Sequence, residues 1–150
     1  MHTSLLRIAI NCWPPLLGAG IRVRHISADF RTVHVILKMG WLNRNYVGTH
    51  FGGSLFAMTD PFYMLMLLHN LGKGYIVWDQ AAQITFIKPG RGVVSCEFRL
   101  DQTLLDAISS ATANGQKHLQ DFVIDIRDAR GEVVASVTKT LYIRQKQVKA

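Results

Sequence analysis

Residues 52–71 read GGSLFAMTDPFYMLMLLHNL, and this run is apolar on nearly every side when it is drawn as a helix. Gly72 follows the run and can cap the helix at its C-terminal end. A helix that is apolar all round must be covered on most sides, which predicts a sheet curved around it. Because Asp60 and Pro61 interrupt the apolar residues, no membrane span is expected here.

Strand patterns lie on both sides of this helix. Beyond it, the hydrophobic periodicity changes from about 3.6 residues to about two, as in half-buried strands. Residues 128–131 form a good hairpin turn, and residues 103–115 give a weaker helical pattern. The expected strands are residues 21–26, 31–38, 75–88, 93–100, 121–127 and 132–144.

This inventory of one long apolar helix and several long antiparallel strands predicts an α+β fold in one domain, residues 1–150. The hotdog architecture, a curved sheet wrapped around one central helix, satisfies the inventory, and other α+β sheets satisfy it too. Along the long strand, one face is expected to carry Ile76, Trp78, Ala82, Ile84 and Phe86.

The chain is basic, with 17 Lys and Arg against 10 Asp and Glu and a formal charge of +7. Such a charge favours an anionic partner: nucleic acid, a membrane surface or a phosphorylated small molecule. The sequence has no helix-turn-helix spacing, zinc-finger pattern or aromatic RNA-binding signature, so no nucleic-acid partner is expected.

The N-terminal segment, residues 1–18, predicts a short helix that is halted by Pro14 and Pro15. It has no clear signal-peptide cleavage site, so a secretory signal is not expected. At the other end, residues 145–150 are expected to form a flexible polar tail.

The two cysteines, Cys12 and Cys96, stand among apolar neighbours, as buried thiols often do. At most one disulfide is possible, and a reducing cytoplasm fits this cysteine content best. Neither the cysteines nor the scattered histidines have the spacing of metal ligands, so no metal site is expected.

The residues that carry chemistry lie at the start of the central helix, in the run NYVGTHFGGSLFAMTD of residues 45–60. This run resembles the hotdog thioesterases of the phenylacetyl-CoA type, in which an Asn, a His-Gly-Gly and an Asp stand at fixed intervals. Aligned on the two glycines, the Asn position is Asn45 and the Asp position is Asp60. One departure is clear: Phe51 stands directly before the glycines, and the histidine lies one residue earlier, at His50.

The resemblance covers roughly residues 20–144 and extends to a hotdog family described as tetrameric acyl-CoA thioesterases. It implies an acyl-CoA substrate, no cofactor besides the coenzyme A of that substrate, and a homodimer or homotetramer. Substrate-binding positions implied in this sequence are His50, Phe51 and the strand end Lys88-Pro89-Gly90-Arg91, whose basic side chains can hold the phosphates of coenzyme A.

The chemistry explains these residue types. Thioester hydrolysis develops negative charge on the carbonyl oxygen, which free N–H groups at a helix start can stabilise, and Gly52 and Gly53 are the candidates. A carboxylate must act as general base or nucleophile, and Asp60 is the only acid in the central helix. Asn45 can orient the water or the carbonyl through its amide.

Geometry adds an expectation about subunits. If Gly53 and Asp60 lay on one continuous helix, about 10 Å would separate them at a rise of 1.5 Å per residue. That distance is too long for both to address one carbonyl, so a second chain is expected to complete the site.

Three other interpretations stay open. Asp60 and Pro61 also suit the N-cap and first position of a separate helix. The same cleft can bind an acyl-CoA or a lipid-like ligand without turnover, since Phe51 replaces a polar residue. A hotdog dehydratase is a weaker alternative, because the expected pair of a histidine and an acid is not evident.

Overall fold

A computed structural model describes residues 3–147 of the chain. Its helices are α1 (Thr3–Cys12), α2 (Pro14–Ala19), α3 (Gly52–Ala57), α4 (Phe62–Leu71) and α5 (Gln102–Thr112). Its strands are β1 (Ile21–Ile26), β2 (Thr32–Lys38), β3 (Tyr75–Phe86), β4 (Val93–Arg99), β5 (Lys117–Asp128) and β6 (Val133–Gln145).

The strands form one antiparallel sheet in the order β1-β2-β4-β5-β6-β3. The hairpin β5–β6 turns at Gly131, whose φ of +83° suits glycine. β4 and β5 pair at only two positions, Val94 with Asp128 and Ser95 with Arg127, which loosens the middle of the sheet. β3 forms the end of the sheet beside β6.

The central helical segment lies against this sheet and supplies much of the core. Among its fully buried side chains are Met58, Phe62, Met66 and Leu67. They pack with the inward residues of the strands in a single hydrophobic cluster. The expected hotdog fold, a curved antiparallel sheet wrapped around a long apolar helical segment, is therefore confirmed.

That helical segment is interrupted in its middle. α3 ends at Ala57 and α4 begins at Phe62, with a turn between them that contains a cis peptide bond before Pro61. Proline has no N–H with which to continue the helical ladder. The turn buries Thr59 but leaves the side chain of Asp60 58% exposed.

At the N-terminus, the two prolines end one helix and begin another. α1 stops at Cys12, as predicted, and Pro14 starts α2, where its missing N–H costs no hydrogen bond. The expectation that both cysteines are buried holds for Cys96 but is wrong for Cys12, which is exposed on α1.

The C-terminal strand is longer than expected. Gln145 pairs with Tyr75, and the N–H of Lys146 donates to the carbonyl of Gly74 at 2.7 Å, so the predicted tail does not begin at residue 145. The rest of that tail, residues 148–150, lies outside the described residues.

A bulge in β3 changes which face its side chains occupy. Opposite β6, Asp79 pairs with Leu141 and Ala81 pairs with Thr140, so Gln80 is an extra residue in the strand. Side chains alternate faces along a strand, and one extra residue reverses the alternation beyond it.

The bulge overturns part of the predicted face. Ile76 and Trp78 were expected beside Ala82, but they point to the opposite side of the sheet. Trp78 stacks there on Tyr142, with ring centroids 4.1 Å apart. Asp79 consequently lies on the inner face, towards the central helix, together with Ala82.

Candidate active site

One lysine and two aspartates meet where the turn between α3 and α4 approaches β3 and β6. Lys139 Nζ donates to Asp60 Oδ1 and to Asp79 Oδ2, both at 2.9 Å. The Lys139 side chain is 3% exposed, that of Asp79 25% and that of Asp60 58%. These three residues, called the Lys139 cluster below, present Asp60 as their most accessible member.

The sequence of β6 puts the lysine inside the protein. Lys139 lies between Val137 and Leu141 in the two-residue alternation, and both neighbours are fully buried. A lysine is rarely buried unless carboxylates compensate its charge. Sequence analysis missed Lys139 and Asp79, although a lysine at an inward-facing position of an apolar strand was a signal that a buried acid was nearby.

The two carboxyl groups of the cluster have pKa values shifted in opposite directions. Burial raises the pKa of Asp60, but hydrogen bonds with Asp79 and Lys139 outweigh burial and hold this pKa below its usual value. Burial and then the hydrogen bond with Asp60 raise the pKa of Asp79, and Lys139 offsets this only in part. These shifts favour the ionised form of Asp60 and the protonated form of Asp79.

A cavity of about 520 Å³ opens beside the cluster and is large enough for part of a small-molecule ligand. Most of its wall consists of small or apolar residues. It is lined by Gly53, Phe56, Ala57, Asp60, Asp79, Gln80, Ala81, Ala82 and Lys139.

Gly53 and Asp60 thus line one cavity within a single chain. The expectation that a second chain must bring them together assumed a continuous helix between them, and that assumption is wrong. The helix ends after Ala57, and the turn brings Asp60 back to the cavity wall that Gly53 also lines.

The other predicted site residues lie at a second cavity, of about 400 Å³. This cavity lies at the end of β3, beside the loop that precedes α3. The structure therefore divides the predicted site within one chain, since only Asp60 and Gly53 share the first cavity. The second is lined by Asn45, Thr49, His50, Gly52, Leu55, Phe86, Ile87, Lys88, Pro89 and Gly90.

Asn45 holds its own loop in shape. Its Nδ2 donates to Thr49 Oγ1 at 2.8 Å and to the His50 carbonyl at 3.3 Å, while its Oδ1 accepts from the Thr49 N–H at 2.9 Å. These bonds occupy the amide on both sides. Within one chain, Asn45 is thus a structural residue of the loop and does not approach the Lys139 cluster.

His50 is a buried, neutral histidine. Its ring is 3% exposed and its Nε2 lies 3.0 Å from the Gly92 carbonyl, so this nitrogen carries the proton and donates. Burial lowers the pKa of His50, and the hydrogen bond to Gly92 offsets this only partly. Nδ1 is buried with no hydrogen-bond partner.

The two basic residues of the strand end are already engaged. Lys88 Nζ pairs with Asp128 at 3.0 Å and with Glu132, both at the β5–β6 turn. Arg91 donates to the Gly48 carbonyl at 2.9 Å and remains exposed. A phosphate group would have to compete with two carboxylates for Lys88.

Aromatic rings cover the two glycines at the start of α3. A Cβ at Gly52 would lie 2.9 Å from Cζ of Phe86, and one at Gly53 would lie 2.4 Å from Cε1 of Phe51. Phe51 itself is 56% exposed. The glycines thus serve close packing, and the Phe51 ring, in the position where the resembling motif has histidine, lies over Gly53.

The alternative interpretation of Asp60, as the side chain that caps the N-terminus of α4, is wrong. α4 has Pro61 at its N-cap position and no side-chain capping bond, and the Asp60 carboxylate pairs with Lys139 instead. Asp60 is therefore held by an ion pair with the sheet and not by the helix that follows it.

Within residues 3–147, no helix has the length and apolar character needed to cross a membrane. The same residues contain no group of three or more His, Cys, Asp or Glu side chains placed to hold a metal ion.

Solved structures with this architecture cover almost the whole chain. A protein of unknown function from Pseudomonas aeruginosa, PA5026, called a probable thioesterase, has 19% identity, a TM-score of 0.85 and 97% coverage of both chains. Thioesterase HI1161 from Haemophilus influenzae has 15% identity and a TM-score of 0.70, over 97% of this chain and 92% of its own. OLEI01261 from Chlorobaculum tepidum, of unknown function, has 13% identity and a TM-score of 0.75, over 96% and 94%.

At these identities the likeness shows a shared hotdog fold. No curated protein matches the chain. A family model described as a domain of unknown function, DUF4442, matches residues 2–143, which is nearly the whole sequence. The chain therefore belongs to the DUF4442 family and has the hotdog fold.

Proposed function

We propose that this protein hydrolyses an acyl-CoA or a related acyl thioester, with Asp60 as general base or nucleophile. The observation that carries the proposal is the Asp60 carboxylate, which a buried lysine holds at 2.9 Å at the edge of a largely apolar cavity. An ionised carboxylate beside an apolar pocket suits attack on an acyl group seated in that pocket. The thioesterase names of two proteins with the same fold also support it.

In the proposed reaction, the acyl chain lies against Phe56, Ala57 and Ala82 on the cavity wall. Asp60 removes a proton from the attacking water or attacks the carbonyl carbon itself. The N–H of Gly53, on the same wall, is the donor that we assign to the developing oxyanion. Coenzyme A enters as part of the substrate, no further cofactor is needed, and we place the reaction in the cytoplasm.

We also propose that the active form is a homodimer paired along β3. This strand has 12 residues and is the end strand of the described sheet, so its outer backbone edge is open to pairing. Trp78, Phe86 and Ile87 are about half exposed along it. Such a dimer could bring Asn45 and His50 of one chain towards the Asp60 cavity of the other.

Sedimentation equilibrium at micromolar protein tests the subunit proposal. A dimer, or a tetramer built from two dimers, is expected. A monomer that hydrolyses thioesters would contradict it and would leave the single-chain cavity as the complete site.

One observation favours a second candidate, a protein that binds acyl-CoA without turnover. The Phe51 ring lies over Gly53, the residue whose N–H would serve the oxyanion. In this alternative the cavity holds the acyl chain and Asp60 has no chemical role.

The deciding experiment measures release of free thiol from short, long and aromatic acyl-CoAs by the wild type and by Asp60→Asn. We expect turnover by the wild type and a loss of at least about 100-fold in Asp60→Asn, because a general base contributes at least that factor. Asp106→Asn, an exposed aspartate on α5, is the matched control and should keep wild-type turnover. Saturable binding without thiol release by the wild type would instead establish the binding protein.

A further inference from the structure

We propose that Asp79 is a second catalytic carboxyl group, the general acid that protonates the departing thiolate, and that Lys139 positions it beside Asp60. This inference rests on the proposed thioester hydrolysis and extends it. It assigns opposite roles to two aspartates that one lysine holds in place.

The geometry places both carboxyl groups at one reaction centre. Asp60, from the turn between α3 and α4, and Asp79, from β3, line the same cavity, and Lys139 Nζ is 2.9 Å from an oxygen of each. Each of the two carboxyl groups also shifts the pKa of the other. A thioester bound beside Asp60 therefore has a second carboxyl group, that of Asp79, within reach.

Charge balance indicates that one of the two carries a proton. Asp60, Asp79 and Lys139 are the charged residues that line the cavity, and its other lining residues are neutral. One cation with one carboxylate and one carboxylic acid is neutral, whereas two carboxylates would leave a net negative charge in a half-buried place. The proton belongs on the more buried carboxyl, Asp79, which is 25% exposed against 58% for Asp60.

An unpaired atom points to the position of that proton. Asp79 Oδ2 accepts from Lys139, but Asp79 Oδ1 is buried and has no acceptor or donor partner when it is treated as a carboxylate oxygen. A proton on Oδ1 would let it donate to Asp60, which accounts for the atom. The raised pKa of Asp79 agrees with this assignment.

The proposed step balances in protons. Water loses a proton to the Asp60 carboxylate as its oxygen bonds to the carbonyl carbon. The carbon–sulfur bond then breaks, and the thiolate takes the proton of Asp79, giving a carboxylic acid and a free thiol. Asp60 is now protonated and Asp79 ionised, and transfer of one proton from Asp60 to Asp79 restores the starting state.

A leaving-group comparison tests this role. Thioesters of one acyl group are prepared with coenzyme A and with an aryl thiol, whose thiolate leaves more readily because its thiol pKa is lower. Asp79→Asn keeps a hydrogen-bond donor for Asp60 but has no acidic proton. We expect it to lower kcat for the CoA ester by at least about 100-fold, and to lower kcat for the aryl ester by less than about 10-fold.

Two results would overturn the inference. If Asp79→Asn hydrolyses the CoA ester at the wild-type rate while Asp79→Ala is impaired, Asp79 only positions Asp60. If Asp79→Asn loses the same factor on both esters, the lost step is not protonation of the thiolate. Asp106→Asn is again the control, and circular dichroism confirms that each variant is folded.

A titration separates failure of this inference from failure of the proposed function. Carbon-13 labelled aspartate, followed by NMR from pH 3 to 9, should show Asp79 titrating above the usual range and Asp60 below it, and Asp79→Asn should remove the higher titration. If Asp60 and Asp79 both titrate with ordinary aspartate pKa values, they do not share a proton, even if the enzyme is active. Shared titration in a wild type without turnover would refute the hydrolysis, and the acid role with it.

Discussion

The chain contains two clusters of similar composition in different surroundings. In each, one lysine contacts two carboxyl groups: Lys139 with Asp60 and Asp79, and Lys88 with Asp128 and Glu132. The Lys139 side chain is 3% exposed, whereas that of Lys88 is 30% exposed and lies at the β5–β6 hairpin turn. The clusters therefore differ mainly in the burial of the lysine, because the carboxyl side chains are similarly exposed, 58% and 25% in one cluster and 58% and 14% in the other.

The two clusters also differ in the pKa values of their carboxyl groups. At the surface, the hydrogen bonds from Lys88 lower the pKa of both Asp128 and Glu132, so all three groups stay charged. Around Lys139, the pKa of Asp60 is lowered and that of Asp79 is raised. Two carboxyl groups that share one buried lysine compete for its charge, and the pKa of one of them rises.

The largest expected effect comes from removing each lysine in turn. Lys139→Met should lower the free energy of unfolding by about 3 kcal/mol, because it leaves Asp60 and the half-buried Asp79 without their cation. This loss of stability is at the low end of what breaking a buried ion pair costs, because Asp60 is partly exposed to water. Urea unfolding followed by tryptophan fluorescence measures the change.

Lys88→Met is the matched control for that experiment, and its effect should lie close to the error of the measurement. The comparison would fail if the two variants were destabilised equally. Repeating both in 1 M NaCl sharpens it, since salt screens the surface cluster far more than the interior one.

The sequence predicted the fold because each element depends on a local pattern. The alternation in residues 93–100 sets Val94, Cys96, Phe98 and Leu100 on one face of a strand, and all four are buried in the structure. Sequence reasoning failed at β3, where the bulge at Gln80 depends on pairing with β6 and leaves no mark in the alternation.

The site was predicted only in part, for the same reason. Asp60 and Gly53 were identified from a local motif, and they do share a cavity. Asp79 and Lys139 lie on two strands far apart in sequence, so their meeting depends on strand register. Asn45 has the residue type expected of a catalytic group, but its amide is used within its loop.

The second prediction concerns opposite responses of stability to pH. Asp79 has a raised pKa in the folded state, so its contribution to stability is present below its ordinary pKa of 3.8 and is lost as pH rises towards the folded pKa. An asparagine at position 79 does not titrate, so the Asp79→Asn variant avoids this loss of stability. It should be more stable than the wild type at neutral pH but not at pH 3.

Asp128 should respond in the opposite sense. Its pKa is lowered in the folded state, so its contribution is present above 3.8 and is lost as pH falls through the folded pKa. Asp128→Asn should therefore be less stable than the wild type at neutral pH and equal to it in acid. Urea unfolding of both variants from pH 3 to 8 checks the signs, and parallel curves would show that the clusters do not differ as described.

The smallest expected effect concerns the binding of coenzyme A. Lys88 was predicted to hold a phosphate, but Asp128 and Glu132 already match its charge. Among residues 3–147, the guanidinium of Arg91 hydrogen-bonds to the Gly48 carbonyl and pairs with no carboxylate, so its charge stays available to a phosphate. We expect Lys88→Ala to change KM for an acyl-CoA by no more than about twofold and Arg91→Ala to raise it about fivefold, a difference of roughly 0.5 kcal/mol in binding. Measuring KM for the matching acyl-pantetheine, which lacks the phosphates of coenzyme A, separates a phosphate contact from a change in the loop. If Lys88→Ala raises KM for the CoA ester alone, the substrate displaces the hairpin carboxylates, and the surface cluster also belongs to the binding site.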